Sequence, residues 1–118
     1  MPNRLAALNE MSGFIGGCLV DSESGLMLAS EGGTGKLDLD AAAALNAQVV
    51  KAKLKAIELL GLDTPIEDIL ITLGSQYHLI RPLEKNPTVF LYVALDRKSA
   101  NLGMARMEVK KLESTITI

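Results

Sequence analysis

Few side chains in this sequence have types and positions suited to driving a reaction. Its 118 residues include one cysteine, Cys18, and one histidine, His78. A nucleophilic Cys–His pair would have to use these two, and it would need a thiol of depressed pKa. Cys18 instead follows Gly16-Gly17 inside an apolar run, the setting of a structural cysteine. His78 lies in Gln76-Tyr77-His78-Leu79-Ile80-Arg81, where strand alternation places it on one side with Gln76 and Ile80. It reads as a packing or surface histidine, not a base. One His, one Cys and scattered carboxylates provide no zinc spacing, so no metal site is expected. Asp38 and Asp40 are accounted for by a helix start, one as N-cap and one in the first turn, without an acid–base role.

The glycine-rich stretch Glu31-Gly32-Gly33-Thr34-Gly35-Lys36 lies between a strand and a helix, where a phosphate-binding loop would lie. The P-loop pattern needs glycine five residues before Gly35, where Ser30 stands. It also needs Ser or Thr after the lysine to hold magnesium, where Leu37 stands. Asp38 and Asp40 would repel a phosphate there. The stretch therefore reads as a strand-to-helix loop, and neither a catalytic residue nor a cofactor is expected. The basic residues Arg97, Lys98, Arg106, Lys110 and Lys111 are interleaved with Glu108 and Glu113, as on a solvated helix surface. The net charge is −2, aromatics are 3% and there is no Trp, which argues against nucleic acid and anionic membrane as partners. The longest apolar run, 89–95, is far short of the ~18 residues of a membrane span. The absence of a secretory h-region and the single cysteine fit a reducing compartment, so the expected location is cytoplasmic.

These residues must be positioned by a core that is 48% apolar in composition and almost purely aliphatic. The length suits one domain, 1–118, with no linker or repeat. A short helix is expected over 3–12, capped by Asn3. A hairpin follows, with strands at 14–20 and 26–30 around the turn Asp21-Ser22-Glu23-Ser24-Gly25. A long helix is expected over 39–60, from Asp38 as N-cap to Gly61 as C′ residue. Strands over 66–73, 76–82 and 88–96 and a helix over 98–113 complete the order αββαβββα, with a β-prone tail at 114–118. This is an α+β domain with a five-stranded antiparallel sheet and helices on both of its faces.

The long helix carries two apolar stripes. At ~100° per residue, Leu45, Val49, Ala52, Ala56 and Leu59 fall on one face, and Ala43, Ala47, Val50, Leu54 and Ile57 on the opposite one. A polar stripe between them contains Ala44, Gln48, Lys51, Lys55 and Glu58. A helix lying on one sheet needs a single stripe, so the second requires cover. Either another part of the same chain supplies it or, as the preferred reading, a symmetric dimer does, with one patch serving both subunits. The alanines at the start of the second stripe assign that role to Ala43, Ala47, Val50, Leu54 and Ile57. The third strand agrees, because Ile69, Leu70, Ile71 and Leu73 are apolar on both of its faces. At a sheet edge it would be exposed unless Ile69 and Ile71 were paired with their copies across the two-fold.

Three segments resemble a known family. Gly17-Cys18-Leu19-Val20-Asp21-Ser22-Glu23-Ser24-Gly25-Leu26-Met27-Leu28-Ala29-Ser30 resembles the first hairpin of roadblock/dynein light chain domains. Gln76-Tyr77-His78-Leu79-Ile80-Arg81-Pro82-Leu83 is similar to their fourth strand, and Asn101-Leu102-Gly103-Met104-Ala105-Arg106-Met107-Glu108 to the start of their last helix. The element order matches as well, so the likeness covers nearly the whole chain and points to the prokaryotic stand-alone type. It implies a homo- or heterodimer whose sheet continues across the two-fold. It also implies a small Ras-like GTPase as partner and a regulatory or adaptor function without catalytic residues of its own, at most stimulating GTP hydrolysis. The alternative is a dimerisation or scaffold subunit of a signalling or motor complex with no GTPase contact. The candidate partner surface is Lys51, Lys55 and Glu58. A third expectation, independent of these, is a ligand-sensing domain whose sheet encloses a small molecule.

Overall fold

A computed structural model describes residues 5–117. A short 3-10 turn, Ala6–Glu10, opens the described chain, and β1, Phe14–Asp21, and β2, Met27–Gly32, form the first hairpin. The long helix α1, Leu39–Leu59, follows, then β3, Ile69–Thr72, β4, Gln76–Pro82, β5, Val89–Asp96, and the helix α2, Leu102–Thr115. The strands make one antiparallel sheet in the order β2-β1-β5-β4-β3, so β2 and β3 are its edges. The two central strands are the most buried, and helices pack on both faces, as the alternation of apolar residues requires.

Local chemistry fixes the connections. In the β1–β2 turn the Asp21 carboxylate accepts from the Glu23 amide and the Ser24 hydroxyl, both at 3.1 Å. Asp38 caps α1 by accepting from the Ala41 amide at 3.1 Å. At the other end Gly61 has φ +69°, its amide bonds Glu58 and that of Leu62 bonds Ile57, which satisfies carbonyls that the helix leaves free. The backbone of β1 also passes close to the loop after β2. A Cβ on Gly16 would lie 2.9 Å from the Cα of Gly33, so the loop can reach α1 only past a glycine.

Several expected boundaries move. The first helix is a short 3-10 segment that ends at Glu10, with Met11 extended after it; the expected cap Asn3 lies outside the described residues. Its apolar side holds, with Leu5 and Leu8 buried and Met11 packed beside them. β3 is four residues long, because residues 62–68 run as an irregular connection through Pro65 before pairing begins. The last helix starts at Leu102, capped by Asn101 at 3.1 Å, and takes in part of the expected tail up to Thr115.

Candidate functional site

The residues that suggested chemistry are held in structural roles. Cys18 has no exposed surface, and burial, with Asp40 adding to it, pushes its thiol up to about 12, away from a nucleophile's range. His78 is half-buried and its pKa is lowered by burial. Its Nε2–H donates to Gln76 Oε1 at 2.7 Å, which leaves Nδ1 to accept from the Tyr92 hydroxyl at 3.2 Å. The two rings meet edge to face at 5.4 Å. The glycine-rich loop spends its amides internally: Gly33 donates to Ile15, and Lys36 and Leu37 both donate to Gly33. A phosphate cradle would need those N–H groups free. Among the described residues no cluster of three or more His, Cys, Asp or Glu could hold a metal ion, and no helix is long and apolar enough to cross a membrane.

What the molecule does present is the outward face of α1 and the open edge of β3. The expected sides of α1 are exchanged. Ala43, Ala47 and Val50 are at most 1% exposed and pack on Val20, Phe90 and Tyr92 of the chain's own sheet. They have no surface left for a second copy, and Leu54 joins the same cluster from its edge. The alanines bring the helix close to its own sheet, not to another helix. Ile57, beyond the last buried turn, is half-buried. The stripe left open is the other one: Leu45 is 68% and Leu59 74% exposed, Ala52 is exposed and Ala56 half-buried, while Val49 packs half-buried against the chain's own core. An apolar band thus runs down the outside of a helix that is ~30 Å long. Lys51, Lys55 and Glu58 are exposed beside it.

Among the described residues β3 pairs only with β4, so its other edge offers backbone groups that no strand there takes up. Ile69 and Ile71 face the α1 side and are half-buried at the margin of that core; Leu70 faces the other side. The expected double burial is therefore half complete within one chain, because α1 lies mainly over β1 and β2.

The reading of the sequence missed one cluster, on the α2 side. Arg81 and Glu113 are buried, and Arg81 Nε donates to Glu113 Oε1 at 3.1 Å. Arg81 Nη1 lies 3.8 Å from Asp68, whose carboxylate is gripped by Arg106 through bonds of 2.8–3.1 Å. Glu113 was grouped with the solvated charges of the last helix, yet it follows the buried Leu112 directly. The available signal was Arg81: alternation puts it on the side of Tyr77 and Leu79, an apolar side, just before Pro82 and Leu83. The other basic residues are dispersed. Arg97 bonds the Leu73 carbonyl and lies over the Tyr77 ring, so no continuous basic patch forms. Met104 and Met107 are exposed on α2.

No protein-family model and no curated protein matches the chain. Solved structures do. A roadblock/LC7 domain from Streptomyces avermitilis superposes with TM-score 0.77 at 17% identity, over 92% of this chain and 86% of that one. MglB of Myxococcus xanthus gives 0.76 at 22% identity, over 94% and 77%. The gliding protein MglB of Thermus thermophilus gives 0.75 at 19%, over 93% and 80%. The fold is that of roadblock/LC7 domains, as the sequence resemblance implies.

Proposed function

We propose that this roadblock-type chain is a dimeric, non-catalytic regulator or adaptor of a small Ras-like GTPase, acting in the cytoplasm. Two observations carry the dimer: the outward apolar residues of α1, Leu45, Ala52 and Leu59 with Ala56 half-buried among them, and the edge of β3 that pairs with no strand among the described residues. A two-fold axis along this surface covers both stripes with each other and joins the two β3 edges into one sheet, since an isologous contact uses the same patch twice. Ile69 and Ile71 then complete their burial at the seam. The GTPase is supported by the roadblock resemblance and by the likeness to MglB folds. Lys51, Lys55 and Glu58, exposed alongside the stripe, are the residues offered to it. Stimulation of GTP hydrolysis would come from reshaping the GTPase, because the one Cys–His pair and the glycine loop are committed elsewhere.

The test has two arms. Light scattering after gel filtration should give twice the chain mass, falling to one with Leu45→Asp/Leu59→Asp. Pull-down from the source lysate with a GTP analogue or with GDP should retain a Ras-like GTPase in the analogue arm. Lys51→Glu/Lys55→Glu should abolish that capture while leaving the dimer intact. A dimer that captures other proteins and no GTPase in either arm would favour a scaffold subunit instead.

A further inference from the structure

A cavity of about 440 Å³ opens where the α1–β3 connection passes the β4–β5 turn. That volume is in the ~300–1,000 Å³ range of small-molecule sites. Leu54, Pro65, Ile66, Pro82 and Leu83 give it apolar walls, and Arg81 lies among them. The charged residues around it are Arg81, Lys110, Glu67, Glu84 and Glu113.

Arg81 is the unusual member. It is 8% exposed, yet among the described residues it makes a single hydrogen bond, from Nε to Glu113. Its Nη1 is 3.8 Å from Asp68, too long for a hydrogen bond, and Asp68 is already engaged by Arg106. An arginine has five N–H donors, four of them on Nη1 and Nη2. Those four have no hydrogen-bond acceptor among the described residues, and Arg81 is one of the residues that line this cavity. Planar donors in low dielectric are matched best by a carboxylate, which takes two parallel bonds. Glu113 already neutralises Arg81 and also accepts the Glu84 amide. Glu67 and Glu84 oppose an anion, but both are exposed and screened by solvent, and the exposed Lys110 offsets one of them.

The geometry points to a binding site for a small carboxylate with an apolar body: the carboxylate on Arg81 Nη1 and Nη2, the apolar part against Leu54, Ile66 and Leu83. This site does not depend on the proposed GTPase or on dimerisation. The probes are octanoate, octan-1-ol and octylamine, titrated into the full chain below their micellar range and followed by amide chemical shifts. Octanoate should give saturable shifts centred on Leu54, Ile66, Glu84 and Lys110, with affinity about tenfold or more above octanol, the scale of one charge-assisted hydrogen bond. Octylamine should give none. Ile66→Trp fills the cavity without touching a charge and should weaken octanoate about tenfold or more, with the thermal melt checking that the fold survives. Glu67→Gln should strengthen it. Equal affinity for octanol and octanoate, binding of octylamine, shifts centred elsewhere, or octanoate binding unchanged by Ile66→Trp would each overturn the site.

Discussion

The two sides of the sheet are closed by different means. On the α1 side the helix contributes Ala42, Ala43, Ala47 and Val50, small residues that let it settle onto Cys18, Val20, Phe90 and Tyr92. Its polar groups are neutral and linked in a line, Tyr92 to His78 to Gln76. On the α2 side the packing is leucine-rich, sealed at one end by Leu5 and Leu8 and at another by the charged pair Arg81–Glu113. α2 ends its apolar surface against the sheet, apart from Met104 and Met107. α1 carries a second apolar stripe outward. The difference teaches where apolar surface is left over: α2 spends its apolar face on the sheet, while α1 spends one stripe there and presents the other.

The largest effects should separate the two stripes of α1. Val50→Asp places an unpaired carboxylate where exposure is 0%, at a cost of several kcal/mol against a total stability of ~5–15 kcal/mol. We expect no cooperative thermal melt at neutral pH by circular dichroism. Leu45→Asp/Leu59→Asp puts two carboxylates on the same helix, on positions 68% and 74% exposed. It should keep the helical spectrum and a cooperative melt while eluting as a monomer. If the double variant unfolds as Val50→Asp does, the outward stripe belongs to the core and the contrast between the stripes fails.

The α2 side should be most sensitive at its charges. Arg81→Leu leaves Glu113 buried without its cation, a change worth about 3–5 kcal/mol in urea unfolding. Removing both, as Arg81→Leu/Glu113→Leu, should recover most of that loss, because a buried pair replaced by apolar groups is often nearly neutral. Asp68 stays paired with Arg106 in both variants. A double variant no more stable than the single would mean that the pair holds the end of β4 in a way leucines cannot replace. A smaller effect returns to α1. Ala47→Leu should destabilise by about 1–3 kcal/mol through overpacking, and Ala52→Leu by less than about 0.5 kcal/mol, both measured on the Leu45→Asp/Leu59→Asp monomer.

The legibility of the sequence follows the same division. The order of elements, the hairpin turn and both ends of α1 were readable, because caps, glycines and periodicity are local signals. That α1 has two apolar stripes was readable too. Which stripe faces the sheet was not, since alanine at 43 and 47 suits a close sheet as well as a close helix, and the choice depends on the width of the groove over Cys18 and Ala94. The expected first helix over 3–12 is a shorter 3-10 segment, because Leu5, Leu8 and Met11 recur every three residues, a spacing that 3-10 geometry also satisfies. The Arg81–Glu113 pair joins residues 32 apart in sequence, and only the packing of α2 over β4 brings them together.

The smallest effect belongs to His78 and tests whether the α1 side depends on neutral polar groups. Burial lowers its pKa below the ordinary 6.5, so the folded chain favours the uncharged ring. The hydrogen bonds agree: with Nε2–H directed at Gln76, Nδ1 must stay unprotonated to accept from Tyr92. The groups around it carry no opposing charge. Tyr92 is itself pushed up to about 12 by burial, with Cys18 adding to it, and both remain neutral here. Below 6.5 the unfolded chain takes up the proton first, and stability rises with pH wherever the unfolded state binds more protons. The contribution of His78 is therefore complete above 6.5 and is lost as pH falls through the lowered folded value. Between pH 7 and about 5, above most carboxylate titrations, the wild-type melting temperature should decline, whereas that of His78→Phe should stay flatter. Equal slopes for the two proteins would show that the ring takes a proton in place without disturbing its neighbours, and that the neutral line on this side is incidental to the packing.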